Sequence, residues 1–188
     1  MSNYPSKQTP KLSIQQESTI SYQERVVYLH VSSADRDPVK FPSPSQYIID
    51  FDREFKNIKR IELIQAHVPS TNGVDNEPYL ILKIDEIDRT IYSKNALIDD
   101  SFAILQMTAP LNGYIQIKKD IHEKVVKDYI TPLATLSKFS MSIYKQDGTL
   151  FNFGSDTNPV DLTLQNMFIF KITTIEKSRE NIGFRALF

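Results

Sequence analysis

Three histidines, His30, His67 and His122, each lie in a different segment of the 188-residue chain. Metal chemistry needs ligands that converge, and the chain holds neither an HExxH pair nor histidines at cupin-like spacing, so a zinc or iron enzyme of the jelly-roll kind lacks a ligand set. His30 and His67 occupy polar or mixed positions of alternating segments and read as structural or surface histidines. Asp35 and Asp37 form a D-x-D that could open a calcium loop, but the next alternate residue is Val39 and no glutamate follows at the EF-hand distance. Asp99 and Asp100 could act as an acid pair, yet adjacent carboxylates in so polar a stretch read as solvated loop.

There is no cysteine, which removes thiolate catalysis, disulfides and cysteine-ligated zinc together. Glycines number 5 and no GxGxxG, GxxxxGKS/T or GxSxG occurs, leaving no phosphate cradle and no nucleophile elbow. The expectation is a protein with no catalytic residue, no metal and no cofactor, and not an enzyme.

Lys and Arg number 22 against 23 Asp and Glu, for a net charge of -1, so nucleic acid is not expected as the main partner. The first residues form no apolar signal region, and no apolar run is long enough to span a bilayer, so a soluble protein made in the cytoplasm without a membrane span is expected. Nine tyrosines and 11 phenylalanines could furnish a sugar-binding surface. With no tryptophan, and with most aromatics at strand positions, a glycan-binding attachment β-sandwich is kept as the alternative from another class.

What would position any of these residues is a set of short strands. Residues 1–24 are rich in Ser, Gln, Lys and Thr and read as an arm that orders only against a neighbour, leaving residues 25–188 as one β domain. From Val26 the pattern has period two: Val27, Leu29 and Val31 share one face, and Tyr47, Ile49 and Phe51 another. Ile61 and Leu63 point one way and Ile64, Ala66 and Val68 the other; Leu80, Leu82 and Ile84 alternate with Tyr79, Ile81 and Lys83.

Further runs at residues 102–107, 114–118, 139–145, 149–153 and 167–175 bring the count to about eight or nine strands between turn-forming residues, the pattern of a sandwich or barrel. Residues 121–130 have helix-like spacing through Ile121, Val125 and Tyr129, worth one or two turns. Asp147-Gly148 marks a tight hairpin turn, with Phe139, Met141 and Ile143 facing the core from its first arm. Turn chemistry, not ligand binding, accounts for Asp147.

The stretch SSADRDPVKFPSPSQYIIDF, residues 32–51, holds Asp35, Arg36, Asp37, Pro38, Pro42 and Pro44 ahead of a strand beginning at Gln46. The two aspartates can accept bonds from nearby backbone amides, and the prolines hold the chain extended while removing amide donors, which suits a crossing between sheets. By this physics the stretch is a structural joint.

Its pattern resembles the penton and minor capsid proteins of large eukaryotic DNA viruses, in which a strand leads into a "DRD-P, aromatic, P-S-P-S, aromatic" passage. Here the aromatics are Phe41 and Tyr47. Further matches are FKNIKRIELIQAHVPS at 55–70, NEPYLILKIDEI at 76–87 and PLATLSKFSMSIYKQDGTLFNFG at 132–154, which together cover most of the chain from Val26 onward. The resemblance implies a single jelly-roll β-sandwich of about eight strands with an extended N-terminal arm, located in the virion. Its expected partners are itself, as a homopentamer at the fivefold vertex, the major capsid protein and other minor capsid proteins. A cement protein beneath the facets is the alternative within that class.

Overall fold

The computed structural model of the chain describes residues 21–88, 90–118, 125–154, 156 and 159–178. In β1 (Tyr22–Ser32) the alternation works as expected: Val27 and Leu29 are half-buried and Val31 is buried, while Val26, Tyr28 and His30 are exposed. β2 (Gln46–Pro69), β3 (Tyr79–Ile84), β4 (Ala103–Gln106), β5 (Tyr114–Lys118), β6 (Val125–Tyr144) and β7 (Met167–Lys177) complete seven strands among the described residues. They form one antiparallel sheet in the order β1, β7, β2, β6, β3, β4, with β5 also paired to β2. The expected all-β class holds.

The strand count differs because two expected strands fuse and one barely forms. Residues 47–51 and 61–68 belong to the single strand β2. After the turn at Asp147-Gly148, the returning chain makes one bridge, Leu150 to Tyr144, and continues without regular pairing.

β2 corrects a second expectation. Ile61, Leu63, Ala66 and Val68 are all buried, not split between two faces. A register shift against β7 between Leu63 and Gln65 inserts one residue, and one extra residue reverses which side chains face inward. The pairing with β6 also changes register between Asp50 and Phe55 and between Ile58 and Arg60, and Tyr47, Phe55, Ile58 and Ile61 are all buried despite their broken spacing. Asn57 takes a positive φ of 52° in this bent stretch, a region that asparagine enters more readily than most residues.

The helix expected over residues 121–130 is corrected where it is described: residues 125–130 open β6. Val125 to Asp128 pair with Leu63 to Arg60 of β2, so ladder bonds and a β-branched pair outweigh a weak helical spacing. Residues 121–124, His122 among them, lie outside the described residues. So do residues 1–20 of the expected arm, whereas Tyr22 to Glu24 already belong to β1. The described helical pieces are single turns, the α-helical one being α1 (Ala96–Asp99), where Asn95 Oδ1 accepts from Leu97 N at 3.0 Å. Among the described residues no helix is long and apolar enough to cross a membrane.

The core runs through an aromatic chain. Phe51 meets Phe139 edge-on at 5.1 Å, Phe139 meets Phe170 at 5.0 Å, and Phe170 meets Phe102 at 6.0 Å. These contacts tie β2, β6, β7 and the entry to β4 together; each ring pair adds about 0.5–1.5 kcal/mol to what the buried area contributes. Phe139, Met141 and Ile143 face this core as expected.

Candidate functional site

The joint between β1 and β2 is a buried polar cluster organised by Arg36. A 3-10 turn at Ser33–Asp35 ends β1, with Ser32 Oγ accepting from Ala34 N at 3.2 Å, and it turns the Arg36 side chain inward. Arg36 is 4% exposed. A guanidinium has five N–H donors and no acceptor, so burying one requires five partners. Nε donates to Phe41 O at 2.8 Å, Nη1 to Ser33 O at 2.5 Å and Gln165 Oε1 at 2.6 Å, and Nη2 to Pro42 O at 3.3 Å and to Asp156 Oδ2.

The acceptors are held in turn. Asp156 Oδ2 also accepts from Gln165 Nε2 at 2.8 Å, and its Oδ1 from Asp161 N at 2.7 Å. Gln165 Nε2 donates to Asp161 O at 2.6 Å, and Ser33 Oγ donates to Gln165 Oε1 at 2.7 Å. Asn166, fully buried, accepts from Tyr47 Oη at 2.6 Å through Oδ1 and donates to Pro44 O at 2.7 Å through Nδ2. Its backbone N–H donates to Ser33 Oγ and its carbonyl accepts from Ser33 N, both at 3.0 Å. Burial pushes the Tyr47 phenol well above its usual pKa, keeping it a donor.

The prolines contribute through their carbonyls. Pro42 and Pro44 supply acceptors to Arg36 and Asn166 and bring no N–H that would itself need a partner in so crowded a turn. Ser45, also fully buried, donates from Oγ to Phe151 O and accepts from Ile143 N at 2.8 Å, which fastens the start of β2 to the hairpin of β6.

The expected residues divide sharply. Asp37 behaves as expected, with Oδ1 accepting from Val39 N at 3.0 Å and Lys40 N at 3.3 Å; the backbone bond from Lys40 leads the effects that hold its carboxyl below the usual range. Pro38 is half-buried within the same turn. Asp35 is exposed and makes no side-chain hydrogen bond among the described residues, contrary to its expected role. At the hairpin, Asp147 Oδ1 accepts from Thr149 Oγ1 at 2.7 Å and Thr149 N at 2.9 Å, and these bonds lower its pKa. Gly148 takes the positive φ, 88°, that the turn needs.

The residues considered for chemistry stay apart. His30 lies opposite Ile169, and Ile169 opposite Gln65, so His30 is two strands from His67, which contacts Gln65. Asp100 pairs with Lys83, whereas Asp99 Oδ1 accepts from Ser93 N at 2.9 Å. Among the described residues no group of three or more His, Cys, Asp or Glu could hold a metal ion.

Asp156, Gln165 and Asn166 carry no signal in the sequence. They lie more than a hundred residues beyond their partners, in a polar stretch with no periodicity to mark them. The cluster as a whole aims its polar atoms at one another, so what it does chemically is hold β1, the start of β2 and the segment before β7 at a set angle.

A family model described as a Family of unknown function (DUF5901) matches residues 14–75, which include β1, the Arg36 turn and β2. No curated protein gives a match.

Proposed function

We propose that this chain is a structural protein of the shell of a large DNA virus, the penton that closes the fivefold vertex as a ring of five copies. The observation that carries the reading concerns the most distinctive residues of the resemblance, Arg36 and the prolines after it. The Arg36 guanidinium and the carbonyls of Pro42 and Pro44 are engaged in holding two strands together. A shell subunit needs such rigidity at its corners, because every contact in a closed ring is heterologous and a small angular error accumulates around it. The seven antiparallel strands curled about one core are compatible with the single jelly roll that goes with this role.

In this reading the partners are further copies of the chain, the major capsid protein and other minor capsid proteins. The test is the position of the chain in a density map of the intact particle. Density at the fivefold vertices is the expected result. Density beneath the facets would make it a cement protein, and its absence from particles would overturn the virion reading; binding of the isolated chain to a glycan array would then favour an attachment module.

A further inference from the structure

β1 ends the sheet order, with β7 on one flank and, among the described residues, no strand on the other. Edge strands are commonly blunted by lysine, proline or a bulge. Residues 26–32 contain neither lysine nor proline, and the register of β1 against β7 runs without a shift from Tyr22 to Ser32. Among the described residues the first half of β2 is similarly bare on one side, because β7 begins to pair with β2 only at Ile58.

Beside this edge opens a cleft of about 460 Å³, floored by Val27, Leu29, Ile49 and Phe51. Asp35, Asp50 and Asp52 also line it, against one guanidinium among the described residues, that of Arg53. Its occupant should therefore be an extended segment with apolar residues on one face and lysines or arginines nearby.

Residues 11–18, KLSIQQES, have that pattern and lead toward β1 in the chain. Laid antiparallel on β1 with Ile14 opposite Val27, the segment would bring Leu12 opposite Leu29, and both apolar side chains would face the cleft. Lys11 and Lys7 then run toward Asp35. A slip of one residue would turn Leu12 and Ile14 to solvent, so only slips in steps of two keep both facing the cleft. In this register the chain's own segment would have to reverse at residues 19–22, Thr-Ile-Ser-Tyr. That link has none of the Gly, Asn or Asp residues that a two-residue hairpin turn requires.

We infer that residues 11–18 of a second copy add to the free edge of β1 as an antiparallel strand, seating Leu12 and Ile14 in the cleft. This strand addition rests on the self-assembly in the proposed function and names the surface that would mediate it.

The chain has no cysteine, so the test can use Ser13→Cys in one full-length chain and Tyr28→Cys in a second, tagged one. These residues lie opposite each other in the register, and Tyr28 is 66% exposed, so its replacement leaves the core intact. Mild oxidation is expected to link the two copies, and excess peptide of residues 7–18 to abolish the link. A labelled 7–18 peptide should bind the unmodified full chain about tenfold or more tighter than the same peptide carrying Leu12→Asp and Ile14→Asp. A link formed only within a chain carrying both cysteines would overturn the inference in favour of the chain's own segment. Displacement by a peptide of residues 179–188 alone would assign the cleft to that segment, and absence of both link and peptide binding would remove the site. Because these measurements use isolated protein, their failure leaves the particle position open, and a chain absent from the vertices leaves this pairing standing.

Discussion

Arg36 and Asp156 stand 120 residues apart in the sequence and pair with side chains 0% and 1% exposed. A charge pair so fully removed from water is sustained only when its remaining donors and acceptors are met, as they are here by Ser33, Phe41, Pro42, Gln165 and Asp161. The pair is thus a geometric device more than a source of stability. It joins the exit of β1 to the segment before β7, the strand that β1 pairs with along its whole length.

Removing one partner leaves the other charge buried and unmatched. Arg36→Ala or Asp156→Ala should each lower stability by about 3–5 kcal/mol, read as a shift in the urea midpoint. Replacing both by Met and Leu should cost less than either single change. An additive double variant would refute the account.

Tyr47→Phe removes the donor to Asn166 Oδ1 while keeping the ring in place. An orphaned buried acceptor costs about 1–3 kcal/mol, so thermal unfolding should move down by several degrees. No shift would mean that the Asn166 amide finds another donor.

Asp35 and Asp37 flank the arginine but do not carry the joint. Asp35→Ala should fall within about 0.5 kcal/mol of the parent, as exposed substitutions do, and Asp37→Ala should lose the two backbone bonds of its turn and an exposed ion pair with Lys40. A collapse of the fold from Asp35→Ala, comparable to that from Arg36→Ala, would relocate the joint.

Asp37 and Asp147 both have carboxyls held below the usual 3.8. A carboxyl depressed in the folded state stabilises it above the unfolded value, and that contribution is lost as pH falls through the folded value. Stability should therefore decline from about pH 4 downward, and less steeply in Asp147→Asn. Denaturant midpoints measured at several acidic pH values check this; identical slopes for parent and variant would contradict it.

Gly148 has a φ of 88°, with Leu97 Cδ2 3.7 Å from where a Cβ would lie. There is room for a methyl group, so the penalty in Gly148→Ala is backbone strain, about 1 kcal/mol or slightly more. Calorimetric unfolding of the variant would show it.

The legible parts were those determined by neighbouring residues. Val27, Leu29 and Val31 announce a strand face, as do Phe139, Met141 and Ile143, and Asp147-Gly148 announces its turn. The 32–51 stretch is recognisable as a joint, with Arg36 among its residues. The partner that organises it is not, because Asp156 lies in a segment without pattern. The bulges of β2 were hidden for a related reason: Ile61, Leu63, Ala66 and Val68 are all apolar, and alternation alone assigns them to opposite faces unless an inserted residue is known. Likewise residues 125–130 had a spacing that either structure could satisfy until pairing with residues 60–63 decided it.

By itself, then, the sequence determined the all-β class, most strand positions and the turn types, because side-chain alternation and backbone preference act over a few residues. Only the tertiary structure decided which strands pair, where β2 bulges, and that Arg36, Tyr47, Asp156, Gln165 and Asn166 meet. Those outcomes depend on closing contacts across more than a hundred residues, where bond complementarity and exclusion of water select one arrangement and no local pattern records it.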